Sequence, residues 1–425
     1  MSSKVKIYFI FPYHGTGGVS VLFYRVAKFL SEYQLAAPVV VDYADGTMIQ
    51  LAEAEKKKLD TLIYSDDYNI KIPADSIAVF QSMTPWSIFP NVNLDSNTRI
   101  LFWNCHPYNL VVFIPFFRFI TYRFKKINKI AGSMFLRSWS RALSEFINII
   151  ERDNALVFMD QENVQNTELY NQILFKKSRF LPIPVEIEVA PRIRASYNSG
   201  IALKFSWIGR IVDFKYYPLK RIMVDLDAYA AKASQSITLN IVGSGPYLNK
   251  IESLSKQVSS LKVDFHGDLS LLGVRELIAN DTDIVVAMGT SALEGGAQGV
   301  PTILLDFAYK DIHPNYHYKW LYQTENFNLA EEVSAAHLDA DGESLGNLIG
   351  DYIADSKKIS NSCYRYVVDH HSLEAVSKLL LKYVSETELT AKQIEKFRKS
   401  NSIGRGVYKF LRKARLKSKD ARAKS

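Results

Sequence analysis

Short runs of β-branched and aromatic residues recur along the chain, and each is followed by a turn and then by a helical pattern. They include KIYFIF, PVVVDY and RILFWN in the first half, and LKFSWI, TLNIV and DIVVAM in the second. Continuous apolar strands alternating with helices are typical of a parallel sheet covered on both faces. A stretch with three prolines, residues 179–192, separates the two halves. The pattern predicts an α/β protein with two doubly wound, Rossmann-like domains facing a central cleft.

Length and composition agree with two domains in a reducing compartment. The chain has 425 residues, which is long for a single core. Its two cysteines, Cys105 and Cys363, are too few for a disulfide framework. No stretch reaches 18 uncharged apolar residues, so we expect no membrane span. We therefore expect a cytoplasmic protein.

The net charge of +8 is concentrated in two places. From Ser385 to Ser425 there are thirteen Lys or Arg against four Asp or Glu, a surplus of nine, so the other residues sum to about −1. A second island, Pro115–Leu143, holds seven Lys or Arg and no acid. Both mix cations with aromatic or aliphatic residues, which favours docking on an anionic membrane surface. The alternatives are a solvated tail and a nucleic-acid surface, but no nucleic-acid-binding module is visible, and we expect no nucleic-acid partner.

The sequence MGTSALEGGAQGVP, residues 288–301, follows the apolar run DIVVAM. A helix that opens at Thr290 or Ser291 would present free backbone N–H groups and the positive end of its dipole to an anion. Ser291 and Glu294 also have the spacing of a capping box, and the small residues could simply let the helix lie tight on the sheet. The segment alone leaves both interpretations open.

Two further turns precede this one in the second half of the chain. Arg210 and Lys215 follow the first strand and Gly209, in a loop where two cations could clamp a diphosphate. Gly243 and Gly245 end the next strand in the sequence VGSGP. Three such turns in order, with the cations beside one of them, favour a phosphate site.

The segment from about residue 200 to 305 resembles the retaining family 4 glycosyltransferases of the GT-B fold. SWIGRIVDFK is similar to that family's G-R-x-x-x-x-K strand and loop, and the DIVVAMGTSALEGG segment is similar to its donor signature. HSLEAVSKLLLKYVSE resembles its last helix, which crosses back to the first domain. The resemblance implies an acceptor-side domain over 1–184, a donor domain over 185–372, a crossing helix over 373–388 and a basic amphipathic tail over 389–425.

The family implies a role for each matching residue. Arg210 and Lys215 would neutralise the diphosphate as it leaves. Glu294 would accept hydrogen bonds from the ribose hydroxyls of the nucleotide, and the amides near Ser291 would contact the phosphates. The predicted donor-binding residues are Gly17, Gly18, Gly209, Gly243, Gly245, Gly289, Thr290, Ser291 and Glu294. The family needs neither a metal nor another cofactor.

The histidines are expected to differ in their roles. His106 follows the strand RILFWNC, and the resemblance places it near the reacting carbon; it could instead close a turn before Pro107. His14 is the weaker candidate for a functional role. His370 and His371 are expected at the surface.

One position departs from the family pattern. The family has two glutamates separated by seven residues, and the first would fall on Val286, inside the predicted strand. The residues that would bind the ribose and the phosphates are still present. The glutamate that contacts the donor sugar in the family has no counterpart here, so that role is not assigned to any residue.

The expected activity is transfer of a sugar from a nucleoside-diphosphate sugar to a glycan or lipid-linked glycan, with retention. The resemblance places this hexosyltransferase activity in bacterial surface polysaccharide or lipopolysaccharide synthesis, on the inner face of the plasma membrane. Two alternatives share the architecture: a binding protein that has lost turnover, and a nucleotide-sugar epimerase.

Overall fold

The computed structural model describes residues 4–14, 17–55, 59–111, 137–187, 202–333 and 342–399. The chain divides into two compact units. Unit 1 comprises the described residues of Met1–Pro182 and Ser377–Ser425, and unit 2 comprises those of Ile183–Val376. The chain therefore leaves unit 1, builds unit 2 and then returns.

Unit 1 contains a six-stranded parallel sheet in the order β3-β2-β1-β5-β7-β8. The described strands are β1 (Lys6–Ile10), β2 (Ala37–Asp42), β3 (Asp60–Ile63), β4 (Ile70–Ile72), β5 (Ser76–Gln81), β6 (Val92–Leu94), β7 (Arg99–Asn104) and β8 (Leu156–Phe158). The described helices before the chain leaves the unit are α1 (Gly18–Glu32), α2 (Thr47–Ala54), α3 (Arg137–Arg152) and α4 (Gln161–Asn171). Strands β4 and β6 form a separate parallel pair.

Unit 2 repeats the same strand order. Its sheet has the order β11-β10-β9-β12-β13-β14 and is parallel except for β14 at the edge. The strands are β9 (Leu203–Ile208), β10 (Ile237–Val242), β11 (Leu261–Gly267), β12 (Ile284–Ala287), β13 (Thr302–Leu304) and β14 (Lys319–Trp320). The described helices are α5 (Asp213–Ala233), α6 (Leu248–Ser255), α7 (Leu271–Asp281), α8 (Thr290–Ala297) and α9 (Leu345–His371), the last interrupted at Asp355.

The central strands explain why the apolar runs are continuous. Every residue of β10 and of β12 is buried, because helices cover both faces of a parallel sheet. The predicted α/β class with two Rossmann-like domains is confirmed at the level of each unit.

The return to unit 1 is made by two helices. Helix α10 (Leu373–Glu386) straddles the division, and α11 (Ala391–Lys399) follows it. Arg99 on β7 donates to the backbone oxygens of Val384, Ser385 and Thr387 at 3.3–3.4 Å, so it satisfies carbonyls that the end of α10 leaves without helical partners.

Helix α11 is part of the core of unit 1. Leu389, Ile394 and Phe397 are buried there, and the Phe397 ring lies 5.8 Å from that of Phe146. The sequence 389–425 was predicted to be an amphipathic tail, and its first eleven residues are thus held by apolar packing. The remainder of that tail and most of the Pro115–Leu143 island lie outside the described residues.

No helix in the part of the chain that the structure describes is both long enough and apolar enough to cross a bilayer.

Candidate functional site

The predicted donor residues of unit 2 all lie at one edge of its sheet. Strands β10, β9 and β12 are consecutive neighbours, and they run parallel. The turns that follow them therefore emerge together at the carboxyl edge, which is where ligands of open α/β sheets bind. These turns carry residues 209–215, 243–247 and 288–294.

The first two turns are packed backbone against backbone. Gly209 donates to the Val242 oxygen, and Ile211 donates to the Ser244 oxygen. A Cβ at Gly243 would lie 2.2 Å from the Gly209 oxygen, and one at Gly245 would lie 2.4 Å from the Ile211 oxygen. Both glycines also have positive φ, at +128° and +150°. Backbone packing and backbone conformation therefore require glycine at both positions, whether or not a ligand binds there.

Lys215 lies in the first turn of α5, whereas the sequence analysis placed it in a loop. Proline is common in the first turn of a helix, so the sequence favours a start near Pro218. A proline inside a helix removes the N–H that would bond to the carbonyl four residues earlier, here that of Phe214. The N–H of Ala308 donates to this oxygen at 3.0 Å instead, so the helix can extend back to Asp213.

Arg210 and Lys215 place two cations at this edge without a carboxylate partner. Among the described residues, neither side chain has an ion pair. Arg210 is exposed, and the Lys215 ammonium is largely buried beside Gly209. Burial lowers the pKa of Lys215, and the nearby charge of Arg210 lowers it further. An anion between them would relieve the repulsion and stabilise both charges.

The third turn opens helix α8 at Thr290, as predicted. Gly289 is the N-cap residue, with φ +63°, and no side chain in the described part of the chain caps the helix. The capping box of Ser291 and Glu294, one of the two alternatives for this segment, does not form, because both residues lie inside the helix, after its first residue. The amides of Thr290 and Ser291 lack intrahelical acceptors, as the first amides of any helix do. An uncapped N-terminus at the strand edge suits a phosphate.

The two glycines in the middle of α8 have a packing role. A Cβ on Gly295 would lie 2.5 Å from the Thr302 hydroxyl oxygen, and one on Gly296 would lie 2.7 Å from the Val367 side chain. The small residues let the helix lie tight on the sheet and on α9. Val286 is fully buried within β12, so that position offers neither a carboxylate nor a surface side chain.

Glu294 lies on the second turn of α8 and is 14% exposed. The guanidinium of Arg275, on α7, donates from Nε to Glu294 Oε2 at 3.4 Å. The sequence analysis missed Arg275. Arginine at one helical position carries no motif, and only the fold brings α7 beside α8.

In unit 1, the glycine turn and His106 lie at the carboxyl edge of the sheet. Gly17 caps α1 in an extended conformation, and a Cβ on Gly18 would meet nothing within 4 Å. His106 is exposed after β7, and its Nδ1 accepts from the Tyr108 N–H at 3.2 Å. His106 therefore does close a turn, which was the alternative to a role near the reacting carbon. This hydrogen bond also assigns the proton of the neutral ring to Nε2.

The two histidines at the end of α9 had different outcomes. His370 is exposed, as expected, but His371 is fully buried, so its prediction as a surface residue is wrong. Its Nδ1 contacts the Ile183 carbonyl oxygen at 2.8 Å and its Nε2 contacts the Tyr366 hydroxyl at 3.2 Å. Burial lowers the pKa of His371 to about 4.

Comparisons with known proteins identify the fold. No protein-family model matches the chain, and no curated protein matches its sequence. The lipopolysaccharide outer core galactosyltransferase WaaB, in its apo form, matches in structure with a TM-score of 0.52 and 11% identity. The match covers 90% of this chain and 99% of that one.

Two weaker structural matches were also found. WaaG, a glycosyltransferase involved in lipopolysaccharide biosynthesis, has a TM-score of 0.44 and 13% identity over 90% of this chain and 99% of that one. Acinetobacter baumannii MurG has a TM-score of 0.39 and 9% identity, over 89% and 99% of the two chains. With both sheets in the same strand order and with the WaaB likeness, the chain has the GT-B fold.

Proposed function

We propose that the chain is a glycosyltransferase that moves a hexose from a nucleoside-diphosphate sugar to a glycan or lipid-linked glycan. The observation that carries the proposal is the pair of Arg210 and Lys215, which meets no carboxylate among the described residues and lies at the same sheet edge as the uncapped start of α8. A diphosphate would supply the negative charge that these two cations lack.

The chemistry follows from where negative charge develops. As the bond from the anomeric carbon to the diphosphate breaks, its electron pair moves to the leaving diphosphate. The two cations and the amides at the start of α8 would stabilise that charge, which is the largest single contribution in many enzymes. These groups supply the role that a divalent cation fills elsewhere, so we propose transfer without a metal or other cofactor.

The finer assignments rest on the family resemblance, which for His106 is the looser match of the first domain and not that of residues 200–305. They are retention at the anomeric carbon, hydrogen bonding of the ribose to Glu294, and a place for His106 near the reacting carbon. With Nδ1 held by the Tyr108 amide, His106 would offer Nε2–H to an oxygen of the sugar or of the acceptor. The proposed setting is bacterial surface polysaccharide or lipopolysaccharide synthesis at the inner face of the membrane.

The donor site is tested by measuring the melting temperature of the protein with each member of a panel of nucleoside diphosphates and nucleotide sugars. One nucleoside diphosphate should raise the melting temperature, with the same rise in EDTA and a smaller one in Glu294→Ala. If no nucleotide raises it, helix α8 is only a tightly packed helix and the proposal is wrong.

A binding protein without turnover is the second candidate, and one observation favours it. The position of the family's first glutamate is occupied by Val286, which is buried in β12. Release of nucleoside diphosphate from the bound nucleotide sugar separates the two functions. Binding without release, with water or with any acceptor, would favour the binding protein.

A further inference from the structure

Arg275 joins two carboxylates at the donor edge of unit 2. It lies on α7, which follows β11, and it contacts α8, which follows β12. Its Nε is 3.4 Å from Glu294 Oε2, and its terminal nitrogen is 3.6 Å from Glu186 Oε2. The Arg275 side chain is 19% exposed and that of Glu186 is 46% exposed. Of these two contacts, the one with Glu294 is therefore the better buried.

The contact determines what Glu294 can do. A carboxylate that is mostly removed from water needs a partner to remain charged. An arginine beside it keeps it an acceptor of hydrogen bonds and fixes its orientation, because the planar guanidinium donates in a fixed geometry. A ribose diol presents two O–H donors at a fixed separation, so an acceptor that is held in place can distinguish it from a deoxyribose.

We propose that Arg275 is a positioning residue that orients Glu294 for the ribose hydroxyls and so sets the preference for ribonucleotides over deoxyribonucleotides. The inference rests on the proposed function, since it assumes that a nucleotide occupies this edge. It assigns Arg275 no contact with the nucleotide itself. Glu186 has no part in the preference for ribonucleotides, because it is exposed and contacts the other end of the guanidinium.

The experiment compares dissociation constants by calorimetry, using the full chain. The probes are the nucleoside diphosphate that the panel selects and its 2′-deoxy and 3′-deoxy analogues. Hydrogen bonds to a charged acceptor predict that the wild type prefers the ribonucleotide by roughly 10–100-fold. In Arg275→Ala, the preference should fall to about threefold or less. Arg275→Lys keeps the charge but not the planar donor, and it should recover only part of the preference.

A double-mutant cycle separates positioning from a direct contact. If Arg275 acts through Glu294, then adding Arg275→Ala to Glu294→Ala should leave the preference unchanged. Glu186→Gln is the matched control, because it removes the other carboxylate and should retain the full preference. Melting temperatures of all variants without nucleotide identify any that fail to fold, and Arg275→Lys then supplies the comparison.

Several outcomes would overturn the inference. An unchanged preference in Arg275→Ala would do so, and so would tighter ribonucleotide binding, which would mean that Arg275 competes with the ribose. A wild type that binds both sugars equally would remove the ribose role from Glu294 while leaving the donor site in place. A wild type that binds no nucleotide would instead overturn the proposed function, and the inference with it.

Discussion

At the scale of single residues, the charge environment separates two lysines that lie five positions apart on α5. Lys215 has no ion pair among the described residues, and its pKa is lowered by burial and by Arg210. Lys220 is paired with Asp311 at 2.6 Å, and this contact raises its pKa. The family resemblance selects Lys215 and not Lys220, but only the fold shows which of the two has a carboxylate partner.

Lys215→Ala should reduce turnover by roughly 10²–10³, since it removes a charge that stabilises the leaving diphosphate. Lys220→Ala is the matched control and should keep nearly the full rate. The measurement is the initial rate of nucleoside diphosphate release at saturating donor. A near wild-type rate in Lys215→Ala would exclude this lysine from the mechanism.

His371 makes the stability depend on pH. The folded chain holds the ring neutral with a pKa of about 4, whereas an unfolded histidine titrates near 6.5. Because the depressed pKa belongs to the folded state, the unfolded state binds the proton first as the pH falls. Stability should therefore be full above about pH 6.5 and decline as the pH falls towards 4, by an amount on the order of 3 kcal/mol.

Melting temperatures between pH 4 and 8 test this dependence. His371→Gln keeps a polar group of similar size but does not titrate, so its melting temperature should fall less over the same interval. The exposed neighbour supplies the control, because His370→Gln should behave like the wild type. Parallel curves for all three proteins would contradict the prediction.

At the scale of elements, the turns after β9 and β10 act as one packed unit. Gly243 has no room for a Cβ, since the Gly209 oxygen would lie 2.2 Å away. Gly18, at the start of α1, has open space around the corresponding position. Both glycines follow a strand, but only Gly243 is fixed by close backbone packing.

Gly243→Ala should lower the free energy of unfolding by about 2 kcal/mol or more, because it combines a steric clash with an unfavourable φ. Gly18→Ala should change it by less than about 1 kcal/mol. Urea denaturation of both variants measures the difference. Equal stabilities would mean that the two turns can separate without cost.

Helix α11 is the second element with a measurable role. Phe397→Ala should reduce stability by about 3–5 kcal/mol, because it removes a buried ring from the core of unit 1. Lys392→Ala on the exposed face of the same helix should change it by about 0.5 kcal/mol or less. Thermal melting compares the two. Similar melting temperatures would show that the helix contributes little to the core.

At the scale of the whole molecule, the membrane proposal depends on sequence beyond α11. Residues 400–425 contain nine Lys or Arg and one Asp. Removal of these residues should weaken binding to anionic liposomes by at least tenfold and leave nucleotide binding intact, because each cation near the surface contributes about 1 kcal/mol. Cosedimentation with anionic and neutral vesicles is the measurement. Truncation at 389 would be a poor test, since it would also remove buried Leu389 and Phe397.

The alternation of strands and helices predicted both sheets and the edge where the unit 2 turns meet, because period and turn chemistry are local properties. The start of α5 was not predictable, since the Ala308 amide that replaces the bond lost at Pro218 is 90 positions away. The contact of Arg275 with Glu294 and the burial of His371 were not predictable from the sequence for the same reason. Each depends on which helices the fold brings together.

The connectivity of the two units has a consequence for synthesis on the ribosome. Unit 2 is one continuous stretch, Ile183–Val376, and its two ends are already joined by the Val185 amide bonding to the His371 oxygen at 2.7 Å. Unit 1 lacks α11 until the end of the chain is made. Unit 2 can therefore complete its core first, while the core of unit 1 still lacks the apolar residues of α11. During that interval, we expect a chaperone to bind the incomplete unit 1, because its apolar core is still exposed.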